Sequence, residues 1–231
     1  MKNRLLWTLA LLPSLITLIA IQFMADIIPA HYNAAGEINR WGSKYESFIF
    51  PAFILLMALF WWLLLKYFKK KQLSGLDTNT AREAASNEKV IYYAAVGSTV
   101  LFGIMQCAFM YSAMLESKRS MDTMAIDINL IVNVSLGVLI IIVGNILPKA
   151  KRNSVVGVRT PWSMKNDRTW ALSNRFGGIS FVICGLLIII ESAIIGGITS
   201  TFIMLGLIIL DGIITTVYSY IVFKKDTTEK T

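Results

Sequence analysis

Six long apolar segments restrict this sequence to one class of fold. A helix needs about 20 residues, at about 1.5 Å of rise each, to cross the ~30 Å hydrocarbon core of a bilayer. Backbone groups in hydrocarbon find hydrogen-bond partners only within their own helix or in a closed barrel. We therefore predict an all-α polytopic membrane protein with six transmembrane helices, at residues 5–24, 48–65, 90–115, 126–147, 176–195 and 198–223.

The distribution of basic residues predicts the orientation of these spans. With the N-terminus inside, 18 of the 22 Lys and Arg residues fall in cytoplasmic segments. Cytoplasmic loops of membrane proteins are enriched in these residues, so both termini are predicted to be cytoplasmic. The first span lacks a small-x-small cleavage site and is predicted to be retained rather than removed as a signal peptide. This bias explains the net charge of +8 without any binding of nucleic acid.

Three polar stretches separate the spans and suggest a division into two modules. The outer stretch covers residues 25–47, and the inner stretches cover residues 66–89 and 148–175. In the first inner stretch, Asp77 or Thr78 is suited to cap a short helix, so this stretch is interpreted as a tether. We predict a two-helix module at 1–89, with the outer loop and a cytoplasmic linker, followed by a four-helix module at 90–231.

Prolines and a glycine divide the second inner stretch into short steps. Pro148 ends the fourth span, Gly157 permits a tight bend, and Pro161 disfavours helix at the residue before it. A short interfacial amphipathic helix is predicted at residues 166–176, and Trp162 and Trp170 are expected at the level of the lipid headgroups. The stretch is thus predicted to form a rigid platform on the inner membrane surface.

The same stretch carries a sequence signature. "GNILPKAKRNSVVGVRTPWSMKNDRTWALSNRFGG", residues 144–178, resembles the pattern of the SdpI family of bacterial toxin-immunity membrane proteins. That pattern runs GN-x-(L/M)-P-K, then G-(I/V)-R-T-P-W-(T/S), then W, then R-x-x-G. The matching residues are Gly144, Asn145, Pro148, Lys149, Gly157, Arg159, Thr160, Pro161, Trp162, Trp170, Arg175 and Gly178.

The outer stretch carries a second signature. "DIIPAHYNAAGEINRWGSK", residues 26–44, is similar to the domain of unknown function that often precedes the SdpI module. Of the acid-proline pair that often precedes the I-P-x-H of that domain, only the acid, Asp26, is kept. The other matching residues are Pro29, His31, Tyr32, Asn33, Gly36, Gly42, Ser43 and Lys44.

The resemblance implies a location and a function. Members of this family lie in the bacterial cytoplasmic membrane and give immunity to a secreted peptide toxin that attacks from outside. The founding member of the family further implies a second task, in which a cytoplasmic repressor of the ArsR type is held at the membrane once the toxin is present. The expected partners are the lipid bilayer, an extracellular peptide toxin and such a repressor, with no direct contact to nucleic acid and no cofactor.

Two groups of loop residues are candidates for this function. The outer group is toxin-sensing or structural and comprises Asp26, Pro29, His31, Asn33, Gly36, Gly42 and Lys44. The inner group serves either signalling or the integrity of the platform and comprises Asn145, Pro148, Lys149, Gly157, Arg159, Thr160, Pro161, Trp162, Trp170 and Arg175. The sequence does not separate the two uses in either group.

His31 is the only histidine, and two chemical roles are open to it. It can ligate a metal or sense pH close to Asp26, Asn33 and Glu37. A metal site usually contains more than one His or Cys, so a hydrogen-bonded structural role in a compact loop is preferred and no metal is predicted. Gly36 and Gly42 are expected to be turn residues that fold the loop over the outer helix ends.

Polar residues inside the spans define an alternative function. Glu191 and Asp211 are acids within apolar helices, where each needs a partner or a watery cavity. With Gln106, Asn129 and Asn133, Glu191 is predicted either to form a polar cluster that opens outward between spans three, four and five or to hydrogen-bond neighbouring helices. A small ion- or proton-coupled transporter is therefore the alternative. An enzyme is disfavoured, because the sequence contains no HExxH or GxSxG motif.

Small residues within the spans are predicted to mark close helix packing. Glycine lets two helix backbones approach each other in a membrane. The glycines given this role are Gly137, Gly185, Gly206 and Gly212.

Overall fold

The computed structural model describes residues 2–74 and 78–228 and confirms six helices with the length and composition of membrane spans. They are α1 (Lys2–Ala20), α2 (Ile49–Leu73), α3 (Thr78–Arg119), α4 (Ile128–Ile146), α5 (Asp167–Ile195) and α6 (Gly197–Thr228). Each predicted span overlaps one of these helices, so the all-α polytopic fold is confirmed. The cap predicted for Asp77 lies outside the described residues.

The helices pack in two groups that meet at α3. The first group is α1, α2 and α3, the second is α4, α5 and α6, and α3 also contacts α4. Many large apolar side chains of α1, α2, α5 and α6 point away from the protein, as expected when lipid is the solvent. The predicted module boundary after residue 89 falls inside α3, and the division into two modules stays a prediction.

Two helices extend further into the cytoplasmic side than the sequence predicts. The short helix expected near residues 81–85 is the beginning of α3, whose 42 residues span about 63 Å. The separate interfacial helix predicted at residues 166–176 is wrong, since these residues form the first turns of α5. Asn166 caps α5 with a capping box to Thr169, and the helix then continues to Ile195.

A two-stranded antiparallel hairpin occupies the outer stretch and was not predicted. Strand β1 (Ile27–Tyr32) pairs with β2 (Ile38–Ser43), and a 3-10 turn at Lys44–Phe48 leads into α2. Gly36 has φ 81° in the connection between the strands, as expected for a turn glycine. Gly42 was also predicted to be a turn residue, but it lies within β2 opposite Ile28.

Close packing of α4 on α5 depends on two reciprocal glycine pairs. A Cβ atom at Gly144 would lie 2.7 Å from the carbonyl oxygen of Gly178, and one at Gly137 would lie 2.9 Å from that of Gly185. The predicted packing role is therefore confirmed for Gly137 and Gly185. It is wrong for Gly206 and Gly212 of α6, where an added Cβ meets no atom within 4 Å among the described residues.

Candidate functional site

The outer side of the molecule carries a cap built from two distant segments. We define the outer cap as residues 27–48 together with the α3–α4 connection at residues 120–127. The amide of Ile38 donates a 2.8 Å hydrogen bond to the carbonyl oxygen of Asp122, and the amide of Met124 donates a 2.9 Å bond to that of Gly36. The hairpin of the first helix group is thus bonded to the loop that begins the second.

A buried glutamate, Glu116 at the outer end of α3, connects the parts of this cap. Its side chain is fully shielded from solvent. One carboxylate oxygen accepts a 2.6 Å hydrogen bond from the Tyr32 hydroxyl, and the other accepts bonds from Ser112 Oγ at 2.5 Å and the Ala125 amide at 2.8 Å. Burial is the largest effect that raises the pKa of Tyr32, and the hydrogen bond to Glu116 and the negative charge of Glu116 raise it further.

Sequence analysis missed Glu116 because of its surroundings. It stands in "LESKR" at the end of an apolar segment, a pattern typical of a solvated helix terminus. Its partners come from residue 32 and residue 125, and no local pattern connects these positions. The one available signal was the four-residue spacing of Ser112 and Glu116, which places both side chains on one face of the helix. Such pairs of polar residues are common on helix surfaces.

Asp127 joins two helix N-termini at the base of the cap and was also missed. One carboxylate oxygen accepts a 2.9 Å hydrogen bond from the Asn129 amide and caps α4. The other accepts a 2.7 Å bond from the amide of Gly197, the first residue of α6. The N-terminus of each helix carries a partial positive charge that attracts the carboxylate, so Asp127 fixes α4 against α6.

Predicted outer residues support the hairpin from its exposed side. Lys44 Nζ lies 2.9 Å from a carboxylate oxygen of Asp26, and this hydrogen bond and charge lower the pKa of Asp26. Asn33 Oδ1 accepts hydrogen bonds from the amides of Ala35 and Glu37 and so stabilises the turn. Pro29 is buried in β1.

His31 is hydrogen-bonded within the hairpin. Its Nδ1 donates a 2.6 Å hydrogen bond to Asn39 Oδ1 across the two strands. Residues 2–74 and 78–228 contain no group of three or more His, Cys, Asp or Glu side chains placed to hold a metal ion.

A cavity of about 280 Å³ lies between the hairpin and the outer helix ends. Ile28 and Pro29 of β1, Phe50 of α2, and Phe109 and Met110 of α3 contribute apolar walls. Polar groups also reach it, from Tyr32, Arg40, Glu46, Ser47 and Gln106. The cavity therefore borders the outer cap and the membrane at the same time.

The inner platform, which we define as residues 147–166, is attached to α3 through its backbone. Ser86 Oγ donates a 2.9 Å hydrogen bond to the carbonyl oxygen of Lys149, and the amide of Lys151 donates one of 2.9 Å to Asn87 Oδ1. Ser86 and Asn87 belong to the same helix that carries Glu116. The outer cap and the inner platform thus share α3.

Trp170 anchors the platform to α5. It is only 3% exposed, and its indole Nε1 donates a 2.8 Å hydrogen bond to the carbonyl oxygen of Ala150. Gly157, at φ 130°, lies so close to the Trp170 ring that a side chain there would collide with it. The prediction that Trp170 lies among the headgroups is wrong, because the loop folds over its ring.

The "TPW" segment is bonded to α6. Thr160 Oγ1 and Ser219 Oγ share a 2.7 Å hydrogen bond, and the Trp162 ring packs edge-on against Tyr220 at 5.2 Å. Pro161 between them is exposed.

Nearby residues continue these attachments. The Asn174 side chain accepts the amide of Val158, and Asn145 Nδ2 donates to the carbonyl oxygen of Ile141. Pro148 lies against Gly178, where an added Cβ would be 2.8 Å from its ring.

Two cations of the inner group face outward. Arg159 and Arg175 are exposed, and neither has a hydrogen-bond or ion-pair partner within the described parts of the chain. Asp226 of α6, by contrast, is buried and accepts a 2.8 Å hydrogen bond from Asn166 Nδ2. The platform is therefore fixed from three helices, while the guanidinium groups of Arg159 in the platform and of Arg175 in α5 remain available.

Polar side chains within the spans do not form the predicted outward-facing cluster. Gln106 Nε2 instead donates to Thr17 Oγ1 of α1 and to the carbonyl oxygen of Ser47, at 2.9 and 3.0 Å. Asn133 Nδ2 donates a 2.8 Å bond to Ser200 of α6. Each of these amides hydrogen-bonds its own helix to a neighbouring segment, which is the second of the two predicted roles.

The two intramembrane acids occupy separate environments. Asp211 is buried in α6 and accepts a hydrogen bond from Ser180 of α5. One Glu191 oxygen accepts a 3.0 Å bond from Ser192, while the other is buried with no hydrogen-bond partner among the described residues.

This fold and its two polar assemblies define a multi-pass membrane protein in which one helix connects an outer cap to an inner platform. Residues 149–219 match the model of the SdpI/YfhL protein family, and residues 8–55 match a domain of unknown function, DUF1648. The chain is 25% identical over 224 residues to "Immunity protein SdpI" of Bacillus subtilis (strain 168), with 97% of each chain covered. The chain is therefore similar to the SdpI/YfhL family over residues 149–219, and it is a multi-pass protein of the cytoplasmic membrane. No solved structure matches it.

Proposed function

We propose that this protein protects its cell against a secreted peptide toxin. The observation that carries the proposal is the similarity to an immunity protein over 97% of both chains. The outer cap supports it, because this folded surface is what a peptide arriving from outside meets first. The outer residues Asp26, Pro29, His31, Asn33, Gly36, Gly42 and Lys44 maintain that surface.

Expression in a strain that is sensitive to secreted peptides tests this function. We expect survival when the peptide is one encoded near the gene, and killing with the empty vector. Membrane fractionation establishes that the protein is present in each strain. Normal membrane levels without protection against any of the neighbouring peptides would contradict the proposal.

We further propose that the inner platform holds a cytoplasmic repressor of the ArsR type when toxin is present. Arg159 of the platform and Arg175 of the adjoining helix α5 are exposed, and Trp162 of the platform is half-buried. Arg and Trp are the residue types that dominate binding energy at protein interfaces. The firm attachment of the platform to α3, α5 and α6 gives these side chains fixed positions.

Co-fractionation with a repressor encoded beside the gene tests this second role. We expect the repressor to move to the membrane fraction on addition of peptide, and Arg159→Ala with Arg175→Ala to abolish that movement. Lys69→Ala serves as the matched control, because Lys69 is an exposed cation at the cytoplasmic end of a different helix. A repressor that stays soluble with the native protein and peptide would refute this role.

A small proton-coupled transporter remains the second candidate function. The buried, unpartnered oxygen of Glu191 favours it, since such a group in a membrane often marks an ion or proton path. Proteoliposomes with the native protein should then show proton-coupled flux, and Glu191→Gln with Asp211→Asn should abolish it. No flux with the native protein removes this candidate.

A further inference from the structure

The cavity beneath the hairpin combines two kinds of surface. Ile28, Phe50, Phe109 and Met110 provide an apolar wall, and the Phe50 and Phe109 rings pack edge to face at 5.3 Å. Arg40 stands on another side, where it pairs with Glu46 at 2.8 Å. The wall is therefore suited to an apolar group attached to a polar chain.

A peptide presents that combination. Apolar side chains leave water on entering such a wall, which contributes roughly 25 cal/mol per Å² of buried apolar surface. Arg40 also donates a 3.3 Å hydrogen bond to the carbonyl oxygen of Ala30 in β1, and the backbone of a bound peptide offers the same kind of acceptor. A lipid acyl chain would fill the apolar wall but make no polar contact with Tyr32, Arg40 or Gln106, which also line the cavity.

Tyr32 belongs both to this cavity and to the bond with the buried glutamate. Its ring lines the cavity, and its hydroxyl donates to Glu116 at 2.6 Å. Resting on the function proposed above, we propose that the cavity receives an apolar side chain of the peptide toxin and that Tyr32 transmits its arrival to α3 through Glu116.

The route from Glu116 to the cytoplasm is a single element. α3 runs unbroken from Arg119 back to Thr78. Near its inner end, Ser86 and Asn87 hold the backbone of the platform. An occupant that displaces the Tyr32 ring changes the bond at the outer end of α3, and the displacement reaches the platform through one continuous helix.

Photo-crosslinking tests the occupant of the cavity. Benzoylphenylalanine replaces Phe109 in the full chain in nanodiscs, and the probe is the synthetic, biotin-tagged form of the secreted peptide encoded beside the gene. Tyr111 is the matched control position, because it lies on the same helix two residues further on and is 58% exposed. We expect a biotin-tagged adduct with the photoreactive residue at position 109 and no adduct when it stands at position 111.

The outcomes separate this proposal from the proposed function. Protection by the native protein without an adduct at position 109, or with an adduct to lipid alone, overturns the cavity assignment and leaves the immunity function standing. Equal adducts at both positions also overturn it, because contact is then unspecific. If the native protein neither protects nor binds the peptide, both proposals fail together.

The Tyr32→Phe variant tests the transmission step. It keeps the ring and removes only the hydroxyl. With the native protein, the peptide should change hydrogen exchange of residues 150–160; the variant should keep the adduct at position 109 and lose that change. If the peptide changes hydrogen exchange in the variant as much as in the native protein, transmission through Tyr32 is overturned. Loss of the adduct at position 109 also overturns it, because the hydroxyl then shapes the cavity and does not transmit its occupancy. Thermal unfolding in detergent establishes that the variant is folded.

Discussion

The outer cap and the inner platform are stabilised in different ways. Besides its backbone hydrogen bonds, the cap is joined to α3 through one buried carboxylate, Glu116, which accepts hydrogen bonds from Tyr32, Ser112 and Ala125. The platform is held by bonds spread over α3, α5 and α6 and by the Trp170 ring packed against Gly157. A structure that depends on one group can be altered by one event, whereas a structure with distributed attachments keeps its shape. The cap is therefore suited to sensing and the platform to presenting a fixed surface.

The largest effect is expected at the single group on which the cap depends. Glu116→Ala leaves three donors without their acceptor, the buried Ser112 hydroxyl and the half-buried Tyr32 hydroxyl and Ala125 amide. An unsatisfied buried group costs roughly 1–3 kcal/mol and a half-buried one costs less, so we expect a total loss of about 3 kcal/mol. Unfolding by denaturant in detergent micelles measures it. Asp122→Ala, an exposed carboxylate in the same cap, should cost less than ~0.5 kcal/mol. Similar losses in the two variants would show that the cap does not depend on Glu116.

A smaller effect is expected where α4 and α5 meet below the platform. In Gly144→Ala the new methyl would lie 2.7 Å from the carbonyl oxygen of Gly178, so the helices must separate. Such overpacking costs about 1–3 kcal/mol. In the matched change Gly212→Ala the new methyl meets no atom of the described residues within 4 Å, so it should be neutral or slightly stabilising. Equal unfolding midpoints for the two variants would contradict the packing seen between α4 and α5.

The distributed attachments of the platform predict a milder response still. Trp170→Phe removes the hydrogen bond to Ala150, worth about 1 kcal/mol. Hydrogen exchange should increase in residues 147–166 and stay unchanged in the hairpin. Trp162→Phe is the control, because the Trp162 indole N–H has no hydrogen-bond partner within the described residues. If Trp170→Phe also released the hairpin, cap and platform would not be separately stabilised.

The smallest effect is expected at the surface of the cap under acidic conditions. Lys44 lowers the pKa of Asp26, so this pair stabilises the folded hairpin above the unfolded pKa of about 3.9 and loses its contribution as pH falls through the folded pKa. Asp26→Asn should remove that part of the acid dependence. The measurement is hydrogen exchange of β1 and β2 between neutral and acidic pH. An acid dependence equal to that of the native protein would show that the ion pair does not contribute.

Features that depend on the hydropathy and charge of consecutive residues were predictable from the sequence. The six spans follow from segments of sufficient hydropathy, and each helix observed overlaps a predicted one. The orientation of the spans stays a prediction from the count of basic residues, because insertion responds to charge near the ends of each span. The inner motif could be recognised because its prolines, glycines and tryptophans are closely spaced along the chain.

Features that depend on contacts between distant segments needed the tertiary structure. Glu116 and Asp127 resemble ordinary polar residues at helix ends until residues 32, 125 and 197 are brought to them. The merging of the predicted interfacial helix with α5 likewise depends on the loop that covers Trp170. The sequence by itself determined which segments are able to cross the membrane, since transfer into lipid is nearly additive along the chain. Only the tertiary structure decided which polar groups are buried and joined, because a buried charge is tolerated only where folding supplies its partners.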